Sequence, residues 1–129
     1  MVNIYILSLQ LHQYHKKMAN NYLYFSNPNS GAPDGAAELA LYSTSMFLGA
    51  FAASSTTTTL HFQARDAATA PVDTVTLTHT TDTHKVVIEE LTRIINATNN
   101  PFQVVSDKEN SIFNITGVTA CAIVTADTP

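Results

Sequence analysis

A change of hydrophobic period within residues 57–97 constrains the fold of this chain more than any other feature. Apolar and polar residues alternate from Leu60 to Arg65 and again from Thr74 to Thr78, as in strands that bury one face. The segment AATAP between them is short enough for a hairpin loop, and Pro71 interrupts the hydrogen-bond ladder there. The sequence therefore predicts a β-hairpin at this position.

A helical stripe follows the hairpin. Five aliphatic residues fall at i, i+1, i+4, i+7 and i+8, namely Val87, Ile88, Leu91, Ile94 and Ile95. This spacing predicts a helix from about Thr83 to Ala97 that ends before Pro101. Asp82 or Thr83 is expected to cap its first turn, because a short side-chain oxygen accepts a hydrogen bond from a free amide there. We expect Leu91 and Ile94 to lie in the core.

The elements on either side predict an α+β fold. Short strands are expected at residues 22–25, 40–43, 102–105, 111–116 and 118–125. A lone helix or hairpin is marginal in water, so the helix must pack on the sheet. The prediction is an antiparallel β-sheet in hairpin–helix–hairpin order with one amphipathic helix packed on it. The last strand is almost continuously apolar, which is typical of a central strand covered on both faces.

The length of 129 residues predicts one domain, residues 18–129, preceded by an N-terminal extension, residues 1–17. The extension is apolar, but no basic residues precede it and no signal-cleavage pattern follows it. Two interpretations remain open. The extension is either the product of an upstream start, with the biological chain beginning at Met18, or an assembly arm that pairs as a strand. We expect the domain to fold without it.

Composition argues against several classes of function. Charged residues make up 12% of the chain and the net charge is −4, so the basic surface that nucleic acid requires is missing. No apolar run is long enough to span a membrane. Cys121 is the single cysteine, which rules out an internal disulfide, and its mid-strand position predicts a small buried hydrophobe rather than a nucleophile.

Two groups of polar residues are candidates for chemistry. His79, Asp82 and His84 lie close together in sequence, and imidazole with carboxylate suits zinc. We expect no metal there, because Asp82 can serve as a helix cap. Glu89 and Glu90 are adjacent on a helix and point in different directions, so they do not form an acid–base pair. The sequence therefore predicts no catalytic, cofactor-binding or metal-binding residues.

The segment from Glu38 to Ala53 fits neither the helical nor the strand period beyond residue 43, and Gly49 interrupts it. It carries four large apolar residues, Met46, Phe47, Leu48 and Phe51. These residues either pack in the core or at a sheet edge, or they form an exposed patch that docks on a partner. They are the candidate interface, since aromatic residues and methionine are enriched at interface cores.

Three segments carry a resemblance to a known family. They are MANNYLYF from Met18, ALYSTSMFLGAF from Ala40, and TTTLHFQARDAATAPVDTVTLTHTTDTHKVVIEELTRIINA from Thr57. Together they resemble small virion proteins of tailed phages that infect marine cyanobacteria and related bacteria. The matching features are structural patterns, and they cover most of residues 18–125. The resemblance implies a capsid-associated or other virion structural role without chemistry.

Three functions of different classes are therefore considered. The first is a non-enzymatic virion structural protein, namely a capsid-associated or decoration protein that binds other copies of itself as a homo-oligomer, a major capsid protein, or both. The second is a secreted or surface adhesin or pilus-like module, which would need a secretion signal. The third is a small ligand-binding or enzyme domain, which would need polar groups converging in a pocket. We expect the first.

Overall fold

A computed structural model describes residues 21–64, 72–97 and 100–125 of the chain. The strands are β1 (Tyr22–Ser26), β2 (Leu39–Ser43), β3 (Phe47–Ser54), β4 (Thr57–Gln63), β5 (Val72–Thr78), β6 (Phe102–Asp107), β7 (Ile112–Phe113) and β8 (Ala120–Val124). One helix, α1 (His84–Ile95), lies between β5 and β6, and a 3-10 turn at Thr44–Met46 joins β2 to β3. The predicted extension, residues 1–17, and the hairpin loop AATAP lie outside the described residues.

The strands form two four-stranded sheets. Sheet 1 has the order β2-β1-β6-β7, and sheet 2 has the order β3-β4-β5-β8. All pairs are antiparallel except β1 and β6, which run parallel. The predicted pairing of β4 with β5 is confirmed, with Leu60 opposite Val75. The α+β class is also confirmed, although the chain is mostly sheet with one helix in its described part.

The topology differs from the single sheet that we predicted. After the helix, β6 pairs with the first strand, β1, and the short β7 follows it in the same sheet. The chain then crosses to sheet 2, where β8 pairs with β5. The order therefore does not clearly follow hairpin–helix–hairpin. The reason is that β6 and β8 find their partners far away in sequence, which local periodicity does not report.

Both sheets and the helix contribute to one hydrophobic core. Its fully buried side chains include Leu23, Phe25, Tyr42, Leu60, Phe62, Val75, Leu77, Val87, Val105 and Ile115. Tyr42 of sheet 1 stacks on Phe62 of sheet 2 with ring centroids 4.3 Å apart, and Phe25 meets Phe62 edge-on at 5.8 Å. Aromatic pairs of this kind contribute about 0.5–1.5 kcal/mol beyond the area they bury. The inner faces of the two sheets are therefore joined by aromatic contacts.

The helix buries a narrower stripe than its sequence suggests. Val87 and Leu91 are buried, as is expected for residues one turn apart on one face. Ile94 and Ile95 are half-buried and pack against the core, whereas Ile88 is 38% exposed. The core position of Leu91 is thus confirmed, and that of Ile94 is reached only in part.

The predicted side-chain cap of the helix is wrong. Thr83 is the N-cap residue, but its side chain makes no capping hydrogen bond and instead donates to the carbonyl of Thr80 at 2.7 Å. Asp82 precedes it with φ at 60°, in the left-handed region. Its backbone N–H donates to the carbonyl of Ser55 at 2.8 Å, so this residue serves to connect the helix start to the β3–β4 turn.

A strand is found within the predicted residues 118–125, but the prediction that it is central and covered on both faces is wrong. Strand β8 lies at one end of sheet 2 and, among the described strands, pairs with β5 alone. Cys121 and Ile123 are buried, but Ala122 and Val124 on the other face are exposed. The error arises because alanine and valine on a solvent-facing side are counted as apolar although nothing in the described chain covers them.

Candidate functional site

The candidate interface residues lie in and just before β3, which is an edge strand of sheet 2 among the strands that the structure describes. The strand has eight residues, FLGAFAAS, without a charged side chain or a proline, and β4 is its partner. Backbone N–H and C=O groups along the free side of an edge strand can pair with another chain. Soluble proteins commonly protect such edges with lysine or proline, and β3 contains neither.

Only half of the predicted set is available at the surface. Leu48 is 59% exposed and Phe51 is 49% exposed, the latter with its ring 4.8 Å from that of His61. Met46 and Phe47 are half-buried and pack against the core. Phe47 also contacts Phe62, with ring centroids 5.6 Å apart. Of the four residues, the structure therefore exposes Leu48 and Phe51 and packs Met46 and Phe47 partly against the core.

Two irregularities limit the regular part of this edge. The register between β3 and β4 shifts between Phe47 and Gly49 and again between Ala52 and Ser54. Gly49 has φ at 152°, which side chains with a Cβ rarely adopt. Bulges of this kind bend a strand and increase its twist. A partner strand would therefore pair with the short regular stretch from Gly49 to Ala52.

A second apolar surface, which the sequence analysis did not identify, covers the outer face of sheet 1. We call this surface the outer patch, and it consists of Tyr22, Tyr24, Leu39, Leu41 and Phe102. The register places Tyr24 beside Leu41 of β2, and Tyr22 beside Phe102 of β6. Four of the five residues are between 38% and 50% exposed. The rings of Tyr24 and Phe102 lie 5.3 Å apart, so the patch is continuous across three strands.

The edge strand β3 and the outer patch share a lack of exposed charge. Within the eight described strands the charged residues are Asp73 and Asp107, and both are buried. Asp73 accepts a hydrogen bond from the hydroxyl of Tyr42 at 2.7 Å, and Asp107 accepts from the backbone and side chain of Asn110. The other described charges lie on the helix and in loops. Both sheets thus present uncharged outer faces.

The histidines at the helix start have structural partners. His79 is buried, with Nε2 2.9 Å from the Thr58 hydroxyl and Nδ1 2.8 Å from the carbonyl oxygen of Thr80. His84 places Nε2 2.7 Å from the carbonyl oxygen of Ser54, and its ring meets that of His79 edge-on at 4.7 Å. These contacts fasten the β3–β4 turn to the start of the helix. Across the described part of the chain, histidine, cysteine and acidic side chains form no group of three suited to a metal ion.

The adjacent glutamates have separate environments. Glu90 is half-buried, and its carboxylate accepts hydrogen bonds from the backbone N–H of Thr116 at 2.8 Å and from its hydroxyl at 2.9 Å. Glu89 is exposed. Glu90 therefore holds the helix against the loop between β7 and β8, and the two carboxylates do not converge on a common site.

Cys121 lies in the core, between the two sheets. Its side chain is 3% exposed, and its thiol donates to the carbonyl of Ser26 at 3.8 Å. Burial raises the pKa of the Cys121 thiol above the ordinary value of 9.0, and the nearby Asp107 raises it further. A raised pKa favours the neutral thiol, which is a poor nucleophile. The expectation of a small buried hydrophobe is confirmed in its burial.

A surface groove of about 460 Å³ lies between two loops at one end of sheet 1. It is lined by Pro28, Asn29, Ser30, Gly31, Ala32, Lys108 and Glu109. Its walls are loop residues that are mostly exposed, and none of the buried polar residues described above is among them. Ligand sites usually combine an apolar enclosure with a few converging polar groups, and this groove does not have that character.

Comparison with known protein families, curated proteins and solved structures finds no match for this chain. The resemblance to phage virion proteins therefore rests on the sequence segments alone. In the described residues, no helix has the length and apolar character needed to cross a membrane.

Proposed function

We propose that this protein is a non-enzymatic structural protein of a virion, a capsid-associated or decoration protein of a tailed phage. In this role it acts by association with a larger protein shell. The resemblance to phage virion proteins is the reason that we take this shell to be a phage capsid. The observation that carries the proposal is the absence of exposed charge from the described strands. These strands contain two charged residues, Asp73 and Asp107, and both are buried.

Uncharged strands favour association because charge is a usual protection of sheet edges. An isolated β-protein that places lysine on its edges prevents pairing with other chains. Here an edge strand of eight residues presents Leu48 and Phe51 to solvent without a charge on it. Such a surface loses little solvation free energy when a partner covers it, since no charged group has to be removed from water.

Strand β3 is the surface that we assign to the shell. A partner segment in extended conformation can add to the edge at Gly49–Ala52, with main-chain hydrogen bonds supplying affinity. Leu48 and Phe51, on either side of Gly49 and Ala50, then supply apolar contacts that select the partner. A segment of a major capsid protein with small or apolar side chains has the chemistry that fits this edge.

The side chains that would be candidates for catalysis support the same proposal through their present contacts. His79 and His84 fasten a turn to the helix, and Glu90 binds the β7–β8 loop. Cys121 is a protonated core residue. Each is accounted for by a contact that stabilises the fold.

The test is binding to purified phage particles that lack the protein. Wild-type protein should co-sediment with the particles at a fixed copy number, measured by quantitative mass spectrometry. The double variant Leu48→Lys, Phe51→Lys should bind at least tenfold more weakly. It removes two apolar contact residues and places two charges in the contact, and the loss of a central contact residue costs about 2 kcal/mol or more of binding free energy.

Val124→Lys is the matched control, since Val124 is 60% exposed on the opposite edge strand of the same sheet. This variant should bind like wild type. The proposal would be refuted by wild-type protein that never co-sediments with particles. Equal binding by all three proteins would refute the assignment to β3.

A further inference from the structure

We propose that the outer patch of sheet 1 is the contact between two copies of this chain, related by a twofold axis. The inference deepens the proposed function, because it rests on association as the role of the protein and names a second partner at a second surface. The occupant is argued from three properties of the patch: its continuity, its lack of charge and its area.

The patch is continuous because three neighbouring strands present large apolar side chains on the same side. In β1, Leu23 and Phe25 face the core while Tyr22 and Tyr24 face outward. In β2, Ala40 and Tyr42 are buried while Leu39 and Leu41 are exposed. Phe102 of β6 extends the surface beside Tyr22 and contacts the ring of Tyr24. These strands carry apolar side chains on both faces, and the described chain buries only the inner face.

The lack of charge makes the outer patch suitable for a contact with a second copy. In a twofold contact each residue meets its own equivalent or a neighbour of it, so any charge near the axis faces a like charge. The chain carries a net charge of −4, so two copies repel each other weakly, and an uncharged contact adds no close pair of like charges to that repulsion. Strands β1 and β2 contain no charged residue, and the one charge on β6, Asp107, is buried. The outer patch meets this condition.

The area agrees with a dimer contact. Large aromatic side chains each have roughly 150–250 Å² to bury, and applying this range to the two leucines as well gives an upper value of roughly 300–500 Å² for the exposed surface of the patch. A stable contact buries about 800 Å² on each partner. This area consists of an apolar centre and a polar rim. The patch has the size of such a centre, and Ser43 beside Tyr22 belongs to its polar rim.

Flat uncharged faces of two sheets can pack directly on one another. Sheets stacked in this way lie about 10 Å apart, with their strand directions within about 30°. The contact would place Tyr22, Tyr24 and Phe102 of each copy between the two sheets. The Tyr22 and Tyr24 hydroxyls can then reach the rim, since tyrosine combines an apolar ring with a polar end.

The experiment is sedimentation equilibrium of the purified full chain over a hundredfold concentration range. Wild-type protein should fit a monomer–dimer equilibrium. Leu41→Lys, in the patch, should weaken the dimer at least tenfold, and Phe102→Lys should do the same from a different strand. Val124→Lys on β8 is the matched control, because it introduces the same charge at an apolar position that is 60% exposed and lies outside both apolar surfaces, and it should leave the dimer unchanged.

Circular dichroism and thermal melts establish that each variant is folded, and two patch variants on different strands protect the test against the failure of one. Wild-type protein that remains monomeric throughout the range would overturn the inference. So would a dimer that both patch variants leave intact. A wild-type dimer that never binds particles would refute the virion role and support the self-contact, so the two proposals fail separately.

Discussion

Replacing Leu91 by alanine tests the packing of the helix on the sheets. Leu91 is 2% exposed and lies in the core cluster with Val87 on the inward side of α1. A helix of twelve residues is marginal in isolation, so its position depends on this buried side. Removing the buried leucine side chain loses its transfer free energy and leaves a cavity, which together cost about 2–5 kcal/mol. We therefore expect Leu91→Ala to lower the free energy of unfolding by that amount.

The assay is urea denaturation followed by circular dichroism. With a slope of about 2 kcal/mol per molar urea, in the middle of the usual range, the midpoint should fall by roughly 1–2.5 M. Ile88→Ala is the matched control, because Ile88 lies on the same helix, is 38% exposed and should cost less than about 1 kcal/mol. Equal losses at the two positions, or a loss below about 1 kcal/mol for Leu91→Ala, would refute the packing that is described here.

Two further predictions concern buried polar groups. Tyr42→Phe keeps the ring that stacks on Phe62 but removes the hydroxyl that donates to Asp73, so we expect a loss of about 1–3 kcal/mol in the same urea assay. An unchanged midpoint would show that this hydrogen bond does not stabilise the fold. For Cys121, burial raises the thiol pKa, so a thiol reagent at neutral pH should react slowly with native protein and rapidly in urea. The raised pKa also means that the folded state retains its proton longer than the unfolded state. The buried thiol therefore contributes fully to the free energy of unfolding below pH 9.0, and this contribution is lost as the pH rises further. The free energy of unfolding of Cys121→Ala should lack this decline at high pH. Rapid labelling of the native protein would contradict the prediction.

The part of the fold that local pattern determines could be predicted from the sequence. Alternation in β4 and β5 and the aliphatic stripe of α1 each report a face buried by short-range geometry, and all three elements lie where their periods predict. The pairing of β1 with β6 could not be predicted in this way. These strands are about 80 residues apart and parallel, and their register depends on contacts that neither segment shows alone.

Strand β3 illustrates how an irregular strand conceals its period. Its large residues at positions 47, 48 and 51 fit no alternation, and the sequence therefore predicted an irregular segment. The register shift beside Gly49 places one extra residue in the strand, which moves the residues after it to the opposite face. The interruption by Gly49 was thus a sign of a bulged strand. The sequence could identify Leu48 and Phe51 as candidates, but only their exposure in the folded chain separates them from Met46 and Phe47.

The two apolar surfaces differ in geometry, and this difference is the reason that we propose a different partner for each. Low charge was visible in the composition, but composition cannot show that the described strands are free of exposed charge while the helix carries Lys85, Glu89 and Arg93. The edge of β3 is narrow and interrupted by two register shifts. An extended segment of another protein therefore fits this edge better than β3 of a second copy, because pairing the two copies would bring two distorted strands together. The outer patch is a broad face of three strands, and a face without charge is what a twofold contact requires. A chain that uses the face for itself and the edge for a shell would leave its charged helix in contact with water.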